Sequence, residues 1–536
     1  MKTAIPYLLF LIAFNSFAQI SLEHTYTNSF VTRIKLENSG EKYYELKRET
    51  NELFLYNSDH TLWKTIILPA TIPHMYAPSA KIINISETKI NPDFNIEVVF
   101  VYYDINTNKT NCKVFSENGT TVLTILNIAP ETYLSEISGL SDKLIATGTT
   151  ETKVYSFPEL LLENTYNNGN LKRIKLENSG EKYFLLDKTN NNTKIYNSNH
   201  SLWKTVSLPK PINTNYTDID FVSETKINSD ALLEIGYSLS ETVDNVTTYL
   251  SKIVNENNVE LLSVPTSKKL MINSIDGLAD KLMADLPIDY SKSKTNIYSL
   301  PSLSLEKTYD RQITRVKLEN SGEKYYTSFG PLDDNLQIFN SDHTFWKAIA
   351  LTKSINSVQG LNMVNAVTIS EVKISNDSSI KALYSYYTGL LMFGAEVSSR
   401  LINESGDILL DAEYVRNLQI NEISGLPNKI ISYSSSGQWN TGGSVYSLGN
   451  LSTSDFNKID KVIMYPIPAK SFINLNAFSA SIIEATVYNM NGLLVKKENA
   501  QNITKIDVDK LPAGIYIVNL TDFNNQKSTY KITVSH

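Results

Sequence analysis

The sequence predicts an all-β protein: a closed β-propeller of about nine four-stranded blades in three large repeats, followed by a small C-terminal β-sandwich. Three observations carry this. A segment of about 140 residues occurs three times in tandem. Each copy holds three landmarks about 47 residues apart, inside the roughly 40 to 50 residues of a propeller blade. A strand missing from the end of the third copy stands near the start of the chain. Helical i, i+3, i+4 periodicity is absent throughout, whereas period-2 alternation recurs.

Residues 1–18 read as a secretory signal peptide. Lys2 precedes an apolar run from Ala4 to Phe14, and Asn15-Ser16-Phe17-Ala18-Gln19 supplies small and polar residues suited to cleavage after Ala18. The run is shorter than the roughly 20 apolar residues that span a bilayer. No transmembrane segment is expected, and the protein is expected outside the cell.

The repeats occupy residues 19–456, as 27–166, 167–309 and 310–453. Arg33 to Tyr43 (RIKLENSGEKY) returns unchanged as Arg173 to Tyr183, and with Val316 for Ile as Arg315 to Tyr325. Tyr56 to Lys64 recurs as Tyr196 to Lys204 and Phe339 to Lys347. Ser86 to Ile90 matches Ser223 to Ile227 and Ser370 to Ile374; Ile137 to Leu140 matches Ile275 to Leu278 and Ile423 to Leu426. In the first unit the alternation predicts strands at 32–36, 42–47, 52–56 and 61–68, separated by Ser-Gly, Glu-Thr-Asn and Asn-Ser-Asp-His turns. Val98 to Tyr103 is nearly all apolar, as in a strand buried on both faces.

The ends of the array test the count. Repeats one and two close with Leu162-Glu163-Asn164-Thr165-Tyr166 and Leu305-Glu306-Lys307-Thr308-Tyr309, whereas after Val445-Tyr446-Ser447-Leu448 this strand is missing. It stands instead at Leu22-Glu23-His24-Thr25-Tyr26. An N-terminal strand that completes the last blade latches a ring and leaves no open edge. Two smaller rings or three separate β-domains are the alternatives to a ring of nine.

Composition excludes several classes of function. With 49 Lys+Arg against 56 Asp+Glu the net charge is -7, so no global positive field holds nucleic acid. The single cysteine, Cys112, allows neither an internal disulfide nor a multi-Cys zinc site, and its place between apolar strands predicts packing rather than nucleophilic chemistry. His60, His200 and His343 recur in register and invite a metal hypothesis, but copies in separate blades lie too far apart to share an ion. They are expected in turns between third and fourth strands. Trp63, Trp203 and Trp346 are expected to pack between blades.

Glu37, Glu41 and their copies 177, 181, 319 and 323 are expected to form surface ion pairs of little individual worth. Triplicated acids also argue against a glycosidase, which needs one asymmetric pair. Asp104-Ile105-Asn106-Thr107-Asn108 spaces oxygens as calcium loops do, but Lys109 stands where glycine is needed and Phe115 where the closing acid belongs. No G-x-S-x-G, H-E-x-x-H or P-loop is present. No cofactor and no metal are expected.

Ligand binding belongs where the repeats differ. The connections entering the second units differ most: Pro69 to Ala80 with Tyr76, Lys210 to Thr217 with Tyr216, and Thr352 to Met363. On the same face falls Ser434 to Gly443, whose Trp439 is the one tryptophan outside the repeat pattern. Trp439, Tyr76 and Tyr216 are the candidate ligand contacts.

The tail, 460–536, changes texture. Short alternating strands surround an Asn-Gly turn at Gly492 and a Pro-Ala-Gly turn, which predicts the β-sandwich. The order Tyr465-Pro466-Ile467-Pro468-Ala469, Val487-Tyr488-Asn489-Met490-Asn491-Gly492, Leu511-Pro512-Ala513-Gly514-Ile515-Tyr516 and Lys531-Ile532-Thr533-Val534 resembles the type A C-terminal sorting domain of the type IX secretion system of Bacteroidetes. One departure is Ile467, where the family usually carries Asn. The resemblance implies export by the type IX machinery, then release or attachment at the outer-membrane surface. The repeat region resembles a β-propeller of no identified family.

The sequence thus favours a monomeric, non-enzymatic, secreted or cell-surface protein that binds a glycan or protein ligand through its propeller loops. An extracellular hydrolase of polysaccharide or peptide and a structural or adhesion component are the alternatives.

Overall fold

A computed structural model describes residues 20–535 apart from 28–29, 70–79, 91–94, 130, 149, 168–169, 211–213, 215, 231, 289–291, 332–334, 352–362, 376–377, 389–395, 414, 437–439, 449–461, 478–480, 490–492 and 523–526. The expected signal peptide lies outside the described residues. The chain divides into two compact units, Met1–Gly449 and Asn450–His536.

The first is all-β and propeller-like. In its opening unit Val31–Leu36, Gly40–Lys47, Glu52–Asn57 and Leu62–Ile67 pair antiparallel in sequence order, within two residues of the strands expected from alternation. The turn after Leu36 needs a left-handed residue, and Gly40, Gly180 and Gly322 supply it at φ 70°, 70° and 71°. Further four-stranded sets follow at 80–128, 133–167, 172–207, 216–265, 269–309, 312–350 and 363–412. The last set takes Val415–Asn421, Lys429–Ser436 and Asn440–Ser447, and its fourth strand is Ser21–Tyr26. Tyr26 stands opposite Gly443 and Ser21 opposite Ser447. Among the described residues this makes nine sets, numbered here in chain order as units 1 to 9.

Units 7 and 8 are also joined along an edge, because Phe329–Pro331 pairs with residues 363–365. The second strand of unit 7, Gly322–Pro331, runs ten residues against eight in Gly40–Lys47, and the extra length reaches its neighbour. The outermost strands meet their partners across a register shift, at Leu55/Tyr56 in unit 1 and Ile195/Tyr196 in unit 4, and such bulges sharpen the twist that lets successive sheets stack.

No unit buries a core alone. Leu53, Leu55 and Ile66 of unit 1 pack with Ile82, Val98 and Phe100 of unit 2. Val99, Cys112 and Val114 on the other face of unit 2 pack with Leu144 and Tyr155 of unit 3. Such a cluster fills the interface of every successive pair. A further cluster unites Ile431 and Val445 of unit 9 and Tyr26 of its added strand with Val31 and Tyr43 of unit 1, so the last unit is packed on the first. The strand Glu97–Asp104 is buried over its first six residues, as its apolar run requires.

In the second compact unit, Val462–Tyr465, Phe472–Ala477 and Lys505–Asp507 form one sheet, and Leu494–Asn499, Ile482–Asn489, Gly514–Asp522 and Lys527–Val534 another. Their inner residues, among them Ile473 and Ile506 from the first and Val487, Val518 and Ile532 from the second, share one core.

Candidate functional site

The recurrent polar residues meet at the junctions between units. Arg33 has a fully buried side chain; its Nε donates to Glu41 at 2.7 Å and its Nη atoms donate to the carbonyls of Asn421 and Pro427 in unit 9. Arg173 does the same with Glu181 and the carbonyls of Ser135 and Ser141, and Arg315 with Glu323 and those of Asn273 and Ala279. The 9–1 junction therefore has the chemistry of the 3–4 and 6–7 junctions. The strand Ser21–Tyr26 completes the likeness: Glu23 pairs with Lys429 as Glu163 does with Lys143 and Glu306 with Lys281.

A reciprocal carboxylate clamp holds the next junction. The Glu87 carboxylate of unit 2 accepts from the Asn38 and Ser39 amides at 2.7 and 2.9 Å and from the Ser39 hydroxyl, while Glu37 accepts from the Glu87 amide at 2.8 Å. Glu224 with Glu177, and Glu371 with Glu319, repeat it. The expectation of surface ion pairs is corrected in part: Glu41 pairs with a buried guanidinium, and Glu37, though exposed, accepts from the neighbouring unit rather than from a lysine. Sequence spacing concealed this because the clamp partners lie 45 to 52 residues apart.

Burial works to raise the pKa of Glu87, Glu224 and Glu371, but the hydrogen bonds from Ser39, Ser179 and Ser321 and the preceding amides outweigh it and hold all three below the usual glutamate value of 4.5. A carboxylate depressed in the folded state contributes stability above its unfolded pKa and loses it as pH falls through the folded one. The unfolding temperature is expected to drop as pH falls below about 4.5, and the Glu87→Gln/Glu224→Gln/Glu371→Gln variant to show a flatter acid limb in a thermal melt series.

The three histidines sit in the turns between third and fourth strands, at φ 65° to 67°. Each packs back on the preceding unit: His60 Nδ1 lies 2.8 Å from the Tyr26 hydroxyl, His200 2.7 Å from Tyr166 and His343 2.9 Å from Tyr309. Among the described residues no three His, Cys, Asp or Glu side chains converge to hold a metal. Trp63, Trp203 and Trp346 pack against the clusters of the junctions that follow them, each under two lysine ammonium groups. Burial pushes the Cys112 thiol up to about 12, leaving it a packing residue. Asp104 accepts from the Asn106 amide at 2.9 Å in an exposed hairpin turn.

Strand alternation puts the connections between units and the turns between second and third strands on one face. Tyr76 and Trp439 lie outside the described residues; Trp439 falls between Lys429–Ser436 and Asn440–Ser447, the second and third strands of unit 9. Tyr216 opens the first strand of unit 5, Tyr216–Ser223. The Tyr216 side chain lies outside what is described; Thr217 of the same strand lines a cavity of about 170 Å³ with Leu186, Lys188, Asn191, Lys210 and Thr214. Two ammonium groups, an amide and two hydroxyls over leucine suit a small hydroxylated or anionic group, although the volume is below the roughly 300 Å³ of a drug-sized pocket. A cavity of about 440 Å³ lies along the first strands of units 1 and 2, where Lys35, Glu37, Asn84, Lys89 and Glu136 face it.

Sequence reasoning missed one position. Glu97, Glu234 and Lys381 each open the second strand of the second unit in their repeat, ten residues after Glu87, Glu224 and Glu371. All are buried, at 0, 0 and 1% exposure. A charged residue heading an apolar run was the available signal.

In the tail, Tyr465, Pro466, Ile467 and Pro468 are exposed, so Ile467 in place of Asn disturbs no packing. Ala469 is buried and pairs with the last strand, its amide donating to the Thr533 carbonyl at 2.8 Å. Leu511 and Tyr516 are buried, and the Tyr516 hydroxyl donates to the Pro512 carbonyl at 2.7 Å, closing the turn that carries Gly514. Gly492 lies outside the described residues. The motif thus has an exposed ridge at its start and a structural half that shapes the domain.

Residues 463–535 match the family of secretion system C-terminal sorting domains. The tail is a type IX sorting domain, and it marks the protein for secretion or the cell surface. Beta-agarase D of Zobellia galactanivorans is 33% identical over 76 residues, in the tail region, covering 14% of this chain and 15% of that protein. The chain thus matches about a seventh of that relative's length. Similar solved structures include a Dos1 propeller (9% identity, 80% of this chain and 96% of that one, TM-score 0.36). BamB from Moraxella catarrhalis is a second (9%, 80% and 99%, 0.33) and the WD40 domain of SCAP from fission yeast a third (9%, 81% and 98%, 0.31). The propeller-like reading rests on the strand pairing itself. Among the described residues no helix is long and apolar enough to cross a membrane.

Proposed function

We propose that the protein is a non-enzymatic binding protein, carried out of the cell by a signal peptide and the type IX machinery, whose closed nine-bladed propeller presents a glycan or protein ligand site on its loop face. The tail in this reading is a β-sandwich whose exposed Tyr465 to Pro468 ridge meets the secretion machinery. One observation carries the binding site: the triplicated Arg, Glu, His and Trp side chains are spent on junctions between units, while the variable connection 210–217 helps line a polar cavity. Identical residues serve the scaffold, and the face where the repeats differ is left for recognition.

A glycan-array and surface-polysaccharide screen of the full chain, with Trp439→Ala and Lys210→Ala beside it, tests this. The expected result is a retained ligand whose affinity drops at least about tenfold in one variant, the loss of about 1.4 kcal/mol. A ligand bound equally by both variants moves the site off the loop face. Turnover of polysaccharide or peptide by the wild type would replace this reading with the hydrolase one.

A further inference from the structure

Three places lie outside the function just proposed: the larger cavity along the first strands of units 1 and 2, the His24–His60 ring stack at the 9–1 junction, and the buried charge at the second strand of units 2, 5 and 8. The third carries furthest, and its unit 5 copy is described most fully.

Glu234 is fully buried, in register with Ser223 on one side and Asn255 on the other. Neither carboxyl oxygen makes a well-formed hydrogen bond. The side chains of Asp230 and Asn228 lie beside it, with Glu177 adding further negative charge. The loop is held by its own amides: Asp230 N donates to Asn228 Oδ1 at 3.0 Å and Leu232 N to Asp230 Oδ1 at 2.9 Å. Those bonds leave Glu234 beside a carboxylate neighbour, with the Asn228 side chain as the one hydrogen-bond partner there that favours its charged form. Burial first, then the charge of Asp230, push the Glu234 carboxyl up to about 8, so at neutral pH it ionises fully only with a compensating positive charge beside it.

The third repeat supplies one covalently. Lys381 stands at the same register, 1% exposed, its Nζ donating to the Ser379 carbonyl at 2.9 Å in the corresponding loop. One buried position thus holds an acid in unit 5 and a cation in unit 8, on the same backbone. The fold does not require a carboxylate there, so the carboxylate in unit 5 has a separate use.

We propose that Glu234, Asp230 and Asn228 bind a divalent cation of the calcium type in the loop between the first and second strands of unit 5, and that the ammonium of Lys381 replaces this ion in unit 8. Two carboxylates and an amide oxygen are hard oxygen donors of the kind calcium accepts in irregular geometry with water completing the shell, which magnesium tolerates poorly. A secreted or cell-surface protein meets calcium at concentrations where a dissociation constant of about 10⁻⁴ to 10⁻³ M suffices.

The test is calcium binding by equilibrium dialysis on the full chain, stripped with chelator, alongside melts in 10 mM CaCl2, 10 mM MgCl2 or chelator. In wild type, calcium is expected to raise the unfolding temperature by about 2 to 4 °C and magnesium by less. Glu234→Gln and Glu234→Lys are each expected to bind one calcium fewer, and Glu234→Lys, built on the Lys381 pattern, to keep its melting temperature in chelator. Asp230→Asn should weaken the same site about tenfold and serves if Glu234→Gln does not fold. No bound calcium in wild type, or equal stoichiometry in wild type, Glu234→Lys and Asp230→Asn, overturns the proposal.

Discussion

Replacing Ser21 and Ser447 with cysteine is expected to tie the N-terminal strand covalently to the last unit and raise the unfolding free energy by about 4 kcal/mol. The two hydroxyls lie 2.5 Å apart across a registered strand pair and are separated by 426 residues of chain, so a bond between them removes about as much freedom from the unfolded chain as one disulfide can. Cys112 is buried and does not compete. Melts of the oxidised and reduced double variant read the effect, with mass analysis reporting the cross-link. Failure to cross-link in mild oxidant would mean that Ser21–Tyr26 is not seated on Asn440–Ser447 in solution. The complementary deletion of residues 20–27 strips unit 9 of its outer strand, the Glu23–Lys429 pair and the Tyr26–His60 bond, and is expected to lower the melting temperature and expose an aggregation-prone edge.

The second large effect is expected from Arg33→Met, which removes a fully buried guanidinium from Glu41, leaving it only the Tyr43 hydroxyl, and from the Asn421 and Pro427 carbonyls, and costs about 3 kcal/mol. Arg173→Met and Arg315→Met make the same cut at the 3–4 and 6–7 junctions. In a closed ring the three variants lose similar amounts of stability, because the junctions are alike. In an open string Arg33 would face solvent, and its replacement would cost within about 0.5 kcal/mol of nothing. Denaturant melts of the three variants distinguish these outcomes, and a near-silent Arg33→Met would overturn the closed ring.

The features visible in the sequence were those that recur. The strands of unit 1 follow from alternation between Val31 and Leu68, and the place of Ser21–Tyr26 from a strand absent after Leu448. The Glu37–Glu87 clamp was hidden although both residues recur, because its partners belong to different landmarks and their contact depends on how one sheet lies on the next. Glu234 was hidden for the opposite reason. A single charge at the head of an apolar strand looks like a strand boundary until its burial is known. The candidate ligand contacts Trp439, Tyr76 and Tyr216 fall where the repeats diverge, so no internal copy instructs the reading.

The likeness of the 9–1 junction to those between repeats bears on assembly. A single repeat carries at its head the strand that its own tail lacks, so a segment such as 162–304 is an open-ended, head-to-tail subunit. Such heterologous contacts run on as filaments unless the rotation closes, and within this chain unit 9 packs on unit 1 after three copies. Three like junctions thus hold parts of one chain together, while the position that carries Glu234 in the second copy carries Lys381 in the third.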